Sequence, residues 1–324
     1  MAVRAVFVVL SLSAAFGREL PELVRPTAAQ ADLAVPPEMV NLINNHPEHK
    51  ATYVAGESEF FKGMSATDSR KLLGTRMEEV ESPLPVKTYE HIPDDAIPAQ
   101  FDARQEWPSY IHPIRNQLMC GSCWAFAASE ALSDRFAIAS KGKVDVVLSP
   151  EDMVSCDTTD MGCNGGILDN AWQYLKSTGI VTDTCFPYTA GTGVAPTCET
   201  SCVDSEPFKK YKASDAFRLT TVEDIQKAIM TDGPVEAGFM VHKSFMSYQS
   251  GVYQHHWWMF WDSIEGGHAV KIVGWGTDAD SNEDYWLIAN SWSESWGEKG
   301  YFKIKRGTNE CQIENQVYAG HPAL

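Results

Sequence analysis

Ten residues, Gln117 to Phe126, combine a candidate nucleophile with the groups that such a nucleophile needs. The stretch reads QLMCGSCWAF, and a run rich in helix-forming residues, without glycine or proline, begins at Cys123. A thiol attacks as the thiolate, and its pKa of about 8.5 must be lowered by a nearby cation or a helix N-terminus. A helix beginning at Cys123 would hold the sulfur at the positive end of its macrodipole. The pattern therefore predicts covalent catalysis by a cysteine.

A candidate general base and a residue to orient it lie far downstream in the chain. His268 heads an apolar run, GGHAVKIVGWG, and Asn290 ends another, WLIANSWSESWG, in which Trp292 follows. Both apolar runs predict strands. A cysteine and a histidine whose imidazole is oriented by an asparagine form a known arrangement for acyl transfer through a thioester. We therefore expect Cys123 and His268 to meet in the folded chain.

The elements around these residues fall into a helical half and a strand-rich half. Helices are predicted from Cys123 onward, after the cap Ser149, in LDNAWQYLKSTG and after the cap Thr221, and each cap precedes an aspartate by three residues. Short strands follow: VEAGFMV, AVKIVGWG, YWLIANSW, YFKIKRG and QVYAG. This order predicts an α+β chain with a helical lobe and an antiparallel, barrel-like β lobe. Cys123 would face His268 and Asn290 across the cleft between the lobes.

The N-terminal residues predict segments that are removed during maturation. Residues 1–17, MAVRAVFVVLSLSAAFG, have one early arginine, a short apolar stretch and small residues at its end, which is typical of a secretory signal peptide. A buried N-terminal helix is the alternative. Residues 18–96 lack cysteine and are rich in Pro, Glu and Ala, which favours a propeptide over a flexible linker. The mature chain is expected at 97–324, with its helical lobe at about 110–210 and its β lobe at about 211–324.

Charge, hydropathy and cysteine content restrict the possible partners. A formal net charge of −17 disfavours nucleic acid and anionic membranes, and no apolar run approaches the roughly 20 residues of a membrane-spanning helix. In an oxidising compartment most of the eight cysteines are expected in disulfides, and their spacing does not fit a structural zinc site. With Cys123 as nucleophile seven cysteines remain, so at least one other thiol is free or bonded between molecules. The spacing alone does not choose the pairs.

From about Ile97 to its end the chain resembles the papain family of cysteine proteases, and within it the cathepsin B-like branch. The motifs that carry the resemblance are CGSCWAF, SPEDMVSC, GCNGG, CFPY, TDGPVEAGF, SGVYQH, GGHAVKIVGWG and NSWSESWGEKGYFKI. The first contains the C-G-[SA]-C-[WY] signature of that family. The resemblance implies a papain-like two-lobe fold and an autoinhibited zymogen in the secretory pathway, with a lysosome, a vacuole or the extracellular space as its destination. It also implies protein and peptide substrates, inhibition by its own propeptide and by cystatin-type proteins, and no metal or cofactor.

The resemblance also assigns roles to the candidate catalytic residues. Cys123 would be the nucleophile, His268 the general base and acid, and Asn290 the residue that orients the imidazole. Gln117 would donate its side-chain amide to the oxyanion together with the Cys123 backbone N–H. Trp292 would cover the hydrogen bond between Asn290 and His268 from water.

Substrate-binding residues and disulfides follow from the same resemblance. Gly165 and Gly166 would hydrogen-bond the substrate backbone, where a side chain would block the approach; an ordinary turn is the alternative. Ile167, Ala269 and Gln316 would line the pocket for the second residue before the cut, and the neutral Gln316 predicts apolar residues there in preference to arginine. The implied disulfides are Cys120–Cys163, Cys156–Cys198 and Cys185–Cys202, which leaves Cys311 free.

Two segments depart from cathepsin B. The stretch between Cys185 and Cys202 is short and lacks histidine, whereas cathepsin B uses histidines in a loop there to hold the substrate carboxylate. This predicts endopeptidase activity with little trimming of C-terminal dipeptides. The second segment, His255 to Glu265, reads HHWWMFWDSIE and is a few residues longer than in relatives. It could form a replacement lid in which His255 or His256 captures a carboxylate, although we favour an aromatic loop packed against the β lobe.

Two other functions remain compatible with these residues. One is a papain-like binding module without activity, although such proteins usually lose the nucleophile and this chain keeps Cys123, His268, Asn290 and Gln117. The other is peptide ligation through the same thioester, which depends on whether water or an amine reaches the acyl-enzyme first.

Overall fold

The computed structural model describes residues 32–77, 82–259 and 261–324, so the predicted signal peptide lies outside the described residues. Within these ranges the α-helices are α1 (Pro37–Asn45), α2 (Ala66–Arg70), α3 (Ala103–Glu106), α4 (Cys123–Ser140), α5 (Pro150–Cys156), α6 (Leu168–Ser177) and α7 (Val222–Asp232). The strands are β1 (Tyr53–Ala55), β2 (Phe101–Asp102), β3 (Phe217–Leu219), β4 (Val235–His242), β5 (Tyr248–Tyr253), β6 (Ile264–Thr277), β7 (Asp284–Ala289), β8 (Tyr301–Lys305) and β9 (Gln316–Ala319). None of these helices is both long and apolar enough to cross a membrane.

The first lobe is built on α4, which is buried on every face from Cys123 to Ala137. Its many small side chains let α5, α6 and β6 pack closely against it. Helix α5 begins where its cap predicts, because the Ser149 hydroxyl accepts a hydrogen bond from the Asp152 amide at 3.1 Å. Three disulfides connect the segments around these helices: Cys120–Cys163, Cys156–Cys198 and Cys185–Cys202. They are the pairs that the resemblance implies, and Cys311 is free.

The second lobe is a sheet in the order β1-β5-β8-β7-β6-β4-β9-β3, with β2 also paired to β6. The α+β prediction is confirmed, but the sheet is not wholly antiparallel, since β5 and β8 run parallel. These two strands are distant in sequence, so no tight hairpin forces them to be antiparallel. Strand β6 lies next to β4, β7 and β2, and it carries His268 near its beginning. The most central strand of the lobe therefore positions the candidate base.

Residues 37–61 of the predicted propeptide pack onto this second lobe. Strand β1 pairs antiparallel with β5 at the edge of the lobe. The strand predictions included neither of these two strands. Met39 and Ile43 of α1, together with Phe61, are buried in the same apolar core as Phe245 and Trp292. This packing is that of a folded segment that shares its core with the β lobe, and it covers an otherwise unpaired sheet edge.

A buried ion pair joins the two elements that carry the candidate nucleophile and base. Lys271 of β6 donates to Asp134 of α4 at 2.7 Å, and neither side chain is more than 1% exposed. Glu130 lies 3.6 Å from the same ammonium. Removal of one partner from such a pair leaves a buried charge uncompensated, so this contact holds α4 and β6 in a defined relation. The relation between Cys123 and His268 depends on it.

Candidate active site

Cys123 is the first residue of α4 and its side chain is completely buried. The preceding turn is held to the helical lobe by the disulfide Cys120–Cys163 and by a hydrogen bond from the Gly121 amide to the Cys163 carbonyl at 3.1 Å. The sulfur lies 3.3 Å from the amide nitrogen of Gly74 and 3.2 Å from the Thr75 hydroxyl. The sulfur thus lies at the predicted helix N-terminus, under residues of the predicted propeptide.

The imidazole of His268 is oriented from one side only. Its Nε2 lies 2.7 Å from Asn290 Oδ1, while Nδ1 is buried and has no hydrogen-bond partner among the described residues. The Ala269 amide, next in sequence to His268, is close enough to the Cys123 sulfur to lower the pKa of the thiol. The indole of Trp292 stacks on the imidazole with ring centroids 4.6 Å apart, and it is fully buried. The structure brings these four sequence-predicted residues together at the boundary between the lobes.

The charge state in this cleft differs from the thiolate that the sequence predicts. Burial raises the pKa of the Cys123 thiol, and hydrogen bonds from Thr75, Ala269 and Gly74 only partly oppose this effect. Burial also lowers the pKa of His268 to about 4, against the opposing hydrogen bond to Asn290. Loss of water disfavours both charged forms. A neutral thiol beside a neutral imidazole is therefore the favoured state while residues 74 and 75 cover the site.

Gln117 makes a contact that the sequence could not predict. Its Nε2 donates to the Leu72 carbonyl at 2.9 Å and to the Cys120 carbonyl at 2.8 Å, and its Oε1 accepts from the Ser291 hydroxyl at 2.7 Å. These bonds fix the amide in one orientation beside the nucleophile. The donor predicted to bind an oxyanion is thus bonded to a peptide carbonyl of the N-terminal segment.

Residues 70–77 cross the cleft and bond to both lobes: α2 ends at Arg70, and after a turn at Lys71 and Leu72 the chain continues as a strand through Thr75. Gly166 donates its amide to the Gly74 carbonyl at 2.8 Å and accepts from the Arg76 amide at 3.0 Å. On the other lobe the Thr75 amide donates to the Gly267 carbonyl at 3.0 Å. A Cβ on Gly74 would lie 1.8 Å from the Gly121 carbonyl oxygen. The segment therefore passes through a gap that only a glycine backbone fits.

Glycine is also required on the receiving surface. A Cβ on Gly166 would lie 2.5 Å from the ring of Trp124, the residue that follows the nucleophile. Gly165 has φ +110°, a region that side chains rarely adopt, and a Cβ there would lie 2.6 Å from the Gly74 carbonyl oxygen. Close approach of another backbone is the predicted reason for this glycine pair. Packing of Gly166 against Trp124 is a second reason.

An apolar pocket on this side of the cleft receives the side chain of Met77. A Cβ on Gly238 would lie 2.9 Å from Met77 Sδ and 3.2 Å from Leu168 Cδ1. In the sheet Gly238 is paired with Ala269 on one side and Gln316 on the other, so both predicted residues border this pocket. The predicted neighbour Ile167 donates its amide to Asp160 Oδ1 at 2.9 Å. Sequence reasoning missed Leu168 and Gly238, because only the strand register brings Gly238 opposite Ala269.

The segment from His255 to Glu265 packs on the N-terminal segment as well as on the β lobe. The ring of Trp258 lies 4.4 Å from that of His46 and 5.1 Å from that of His49, and His256 stacks on Tyr53 at 5.4 Å. Trp257 is 78% exposed. Despite these histidines, no group of three or more His, Cys, Asp or Glu side chains in the described ranges could hold a metal ion. The prediction of an aromatic loop was incomplete, because it did not include the propeptide as a packing partner.

Comparisons with known proteins agree with this geometry. A family model described as papain family cysteine protease matches residues 97–321. The chain is 39% identical to cathepsin B-like CP2 of Giardia intestinalis over 297 residues, which cover 90% of this chain and 97% of the relative. It is 39% identical to cathepsin B-like cysteine proteinase 4 of Caenorhabditis elegans over 337 residues, which cover 92% and 97%.

Solved structures of precursor proteins are similar in fold to the described chain. Procathepsin B S9 from Trypanosoma congolense matches with a TM-score of 0.79 and 30% identity, over 90% of this chain and 99% of that one. Digestive procathepsin L2 from Tenebrio molitor larval midgut matches with a TM-score of 0.70 and 29% identity, over 84% of each chain. Both similarities extend over the N-terminal segment as well as the two lobes, because their coverage exceeds residues 97–324.

The close fit of Gly74 in the cleft generates a prediction about the accessibility of Cys123. Gly74→Ala in the full-length chain should displace the strand, because its Cβ would meet the Gly121 backbone. We expect Cys123 to react with a thiol reagent at neutral pH at least about tenfold faster, as measured by mass spectrometry. Gly63→Ala is the matched control. It strains the propeptide backbone at φ +69°, but its Cβ would meet no atom within 4 Å. Equal labelling rates in the two variants would contradict the prediction.

Proposed function

Since this chain belongs to the papain family of cysteine proteases, we propose that it is a cathepsin B-like endopeptidase made as an autoinhibited zymogen. Residues 18–96 would be the propeptide and residues 97–324 the mature enzyme. The observation that carries the proposal is the strand within residues 70–77 in the cleft. It places the Leu72 carbonyl on the Gln117 amide and the Gly74 amide on the Cys123 sulfur.

Departure of this strand activates the nucleophile. Water that enters the cleft reverses the burial that raises the pKa of Cys123 and lowers that of His268. The sulfur also lies at the N-terminus of α4, whose dipole favours the thiolate. The proton then moves from Sγ to Nδ1 of His268, while Asn290 keeps the bond to Nε2 and favours the imidazolium. Removal of the propeptide and formation of the ion pair are thus one coupled event.

The chemistry that follows is acyl transfer in two steps. The thiolate attacks the substrate carbonyl carbon, and the oxyanion accepts hydrogen bonds from Gln117 Nε2 and the Cys123 backbone N–H. The imidazolium of His268 gives its Nδ1 proton to the leaving amine, which releases the first product and leaves a thioester. His268 then removes a proton from water, which attacks the thioester and regenerates the thiol. Trp292, stacked on the imidazole, keeps water from the bond to Asn290.

The resident strand is a poor substrate because of how it lies. Its contact with the sulfur is made by the Gly74 amide, a hydrogen-bond donor, whereas attack requires a carbonyl carbon at that place. The backbone at Thr75 also forms a parallel bridge with the backbone at Gly166. The strand therefore occupies the hydrogen bonds that a substrate would use without presenting a bond for cleavage.

Met77 in its apolar pocket supports an apolar preference at the second residue before the cut. The pocket is bordered by Leu168, Gly238 and Ala269, and Gln316 adds no charge. An arginine in this pocket would lose water without gaining a carboxylate partner.

The neutral side chain of Gln316 provides a test of this preference. We expect substrates with leucine or methionine at this position to be cleaved faster than those with arginine, and Gln316→Glu should raise kcat/KM for arginine by about tenfold. Gln312→Glu, the same change at an exposed position, should leave the ratio unchanged. Faster cleavage of arginine substrates by the unaltered enzyme would refute the apolar pocket.

The short segment between Cys185 and Cys202 supports endopeptidase over dipeptidase activity. It contains no histidine to hold a substrate carboxylate. Of the histidines in the 255–265 segment, His255 stacks on His242 within the β lobe, and His256 stacks on Tyr53 of the propeptide. This favours an aromatic loop that binds the propeptide over a lid that captures a carboxylate.

The overall proposal is tested by labelling and product analysis on one sample. After acid processing of the full-length chain, an epoxysuccinyl inhibitor should modify Cys123 alone, and the product should begin near Ile97. The Cys123→Ala chain should neither be labelled nor process itself. Processed enzyme should cut internal bonds of a long peptide and should treat free and amidated C-termini alike; an added amine that is incorporated into the products would instead favour ligation. A folded, processed chain without the label would defeat the proposal.

A histidine cluster between propeptide and β lobe supports activation at acidic pH, as in a lysosome or vacuole. Burial, with smaller effects from the neighbouring His255, His46 and His49, lowers the pKa of His256 to about 4. Tyr53, which stacks on His256, is neutral because burial raises its pKa. Asp262 and Glu310 raise the pKa of His255 against the effect of its burial. Among the described residues, no carboxylate is a cause of the pKa shift of His256.

This cluster predicts a loss of propeptide docking between about pH 6.5 and 4. Because the pKa of His256 is lowered in the docked state, its docking free energy is fully present above pH 6.5, the ordinary value, and is lost as pH falls. In the Cys123→Ala chain, hydrogen exchange at Tyr53–Ala55 should accelerate on the order of tenfold from pH 7 to 5, after correction for intrinsic rates. His256→Phe should reduce this dependence and His91→Phe, at an exposed site, should not. Identical pH dependence in both variants would rule out His256.

A further inference from the structure

A charged contact at one edge of the cleft is not used by the chemistry described above. Arg70 Nε lies 2.5 Å from Glu265 Oε2. The Glu265 side chain is 2% exposed whereas that of Arg70 is 50% exposed. The other carboxylate oxygen of Glu265 accepts from the Ser263 hydroxyl at 2.7 Å. The carboxylate is therefore held in place by its own lobe, and the guanidinium reaches it from the cleft.

The position of this carboxylate follows from the path of the strand. Beyond the sulfur in one direction lie Thr75 and Met77, on the side of Gly166 and the apolar pocket that receives residues before the cut. Arg70, the last residue of α2, lies in the other direction along the same segment. Leu73, between them, packs over Gly266, where a Cβ would lie 3.0 Å from Leu73 Cβ. Glu265 therefore borders the side of the cleft on which the leaving part of a substrate must lie.

Departure of the propeptide removes the closest cation from this carboxylate. Burial lowers the pKa of Lys243, and the charge of Glu265 opposes this effect, so Lys243 is a second cation that interacts with this carboxylate. Lys243 belongs to the β lobe and stays, as does the Ser263 hydroxyl. The space that opens is the one that Arg70 occupied, next to a carboxylate that loses a charge-assisted hydrogen bond. A guanidinium or ammonium group of a substrate can replace that bond, whereas a substrate carboxylate would be repelled.

We propose that Glu265 selects a basic residue at the first or second position after the cut. This inference rests on the proposed endopeptidase function and adds to it a determinant on the leaving-group side. Arginine should be preferred to lysine, because its guanidinium reproduces the contact that Arg70 makes. A partly exposed charged contact of this kind corresponds to a preference of about three- to tenfold over a neutral residue.

The test uses enzyme obtained by processing the full-length chain and two kinds of substrate. Internally quenched peptides with fixed residues before the cut carry Arg, Lys, Gln or Glu at the first or second position after it. A peptidyl coumarylamide with the same residues before the cut has nothing beyond the coumarin and reports the catalytic machinery alone. We expect kcat/KM in the order Arg, Lys, Gln, Glu at one of the two positions, with a weaker Arg preference at high salt.

Variants then assign the preference to Glu265. Glu265→Gln should abolish the difference between Arg and Gln, and Glu265→Lys should favour Glu, while both cleave the coumarylamide as well as the unaltered enzyme does. Glu283→Gln, the same change at the distant start of β7, should retain the preference. Equal cleavage of all peptides by the unaltered enzyme, or a preference that survives Glu265→Gln, would overturn the inference. Failure of the unaltered enzyme to cleave the coumarylamide would instead count against the proposed function.

Discussion

The access of water to the Cys123 sulfur is the constraint on which the rest of this structure depends. A thiolate beside an imidazolium is stable only if solvent or fixed dipoles stabilise both charges, and here burial raises the pKa of Cys123 and lowers that of His268. The strand within residues 70–77 causes that burial by lying directly over the sulfur. Inhibition is therefore electrostatic as well as steric, because the cleft holds the two reactive groups in their neutral forms.

The strand blocks the cleft effectively because it occupies hydrogen-bonding groups that a peptide substrate would use. It bonds to Gly166 and Gly267, one from each lobe, and its Leu72 carbonyl accepts from Gln117. Such bonds are strong here because water is excluded, and they add up only if both lobes are held at a constant separation. The buried pair of Lys271 and Asp134 fixes that separation between α4 and β6. Rigidity of the scaffold thus serves the inhibited state and the active state alike.

The N-terminal segment is also a structural element of the β lobe. Strand β1 extends the sheet at β5, and Phe61 packs edge-on against Trp292 with ring centroids 5.3 Å apart. On its other side the N-terminal segment is covered by residues 255–265, whose Trp258 ring contacts the rings of His46 and His49. Removal of the propeptide therefore exposes a sheet edge and several aromatic rings in addition to the sulfur. Docking of the propeptide and protection of this surface are the same interaction.

Local sequence patterns predict the chemistry and most of the helices and strands. The start of α4 at Cys123, the capped helices α5 and α7, and the strands from β4 to β9 other than β5 follow from local patterns, because caps and apolar periodicity act over a few residues. The family resemblance supplied the roles and the three cysteine pairs. Strand β5 and the short strands β1, β2 and β3 were missed, since an edge or short strand depends on its partner and not on its own pattern.

The segment that occupies the cleft and the charge state of the two reactive groups depend on contacts between distant parts of the folded chain. Leu72, Gly74 and Met77 carry no recognisable motif, yet each meets a residue at least 45 positions away. The raised pKa of Cys123 could not be predicted from the helix N-terminus alone, because the pKa of a thiol depends on desolvation by distant segments as well as on its own helix. The contact of Arg70 with Glu265 is of the same kind, a long-range pairing whose partners become visible only when the chain is folded.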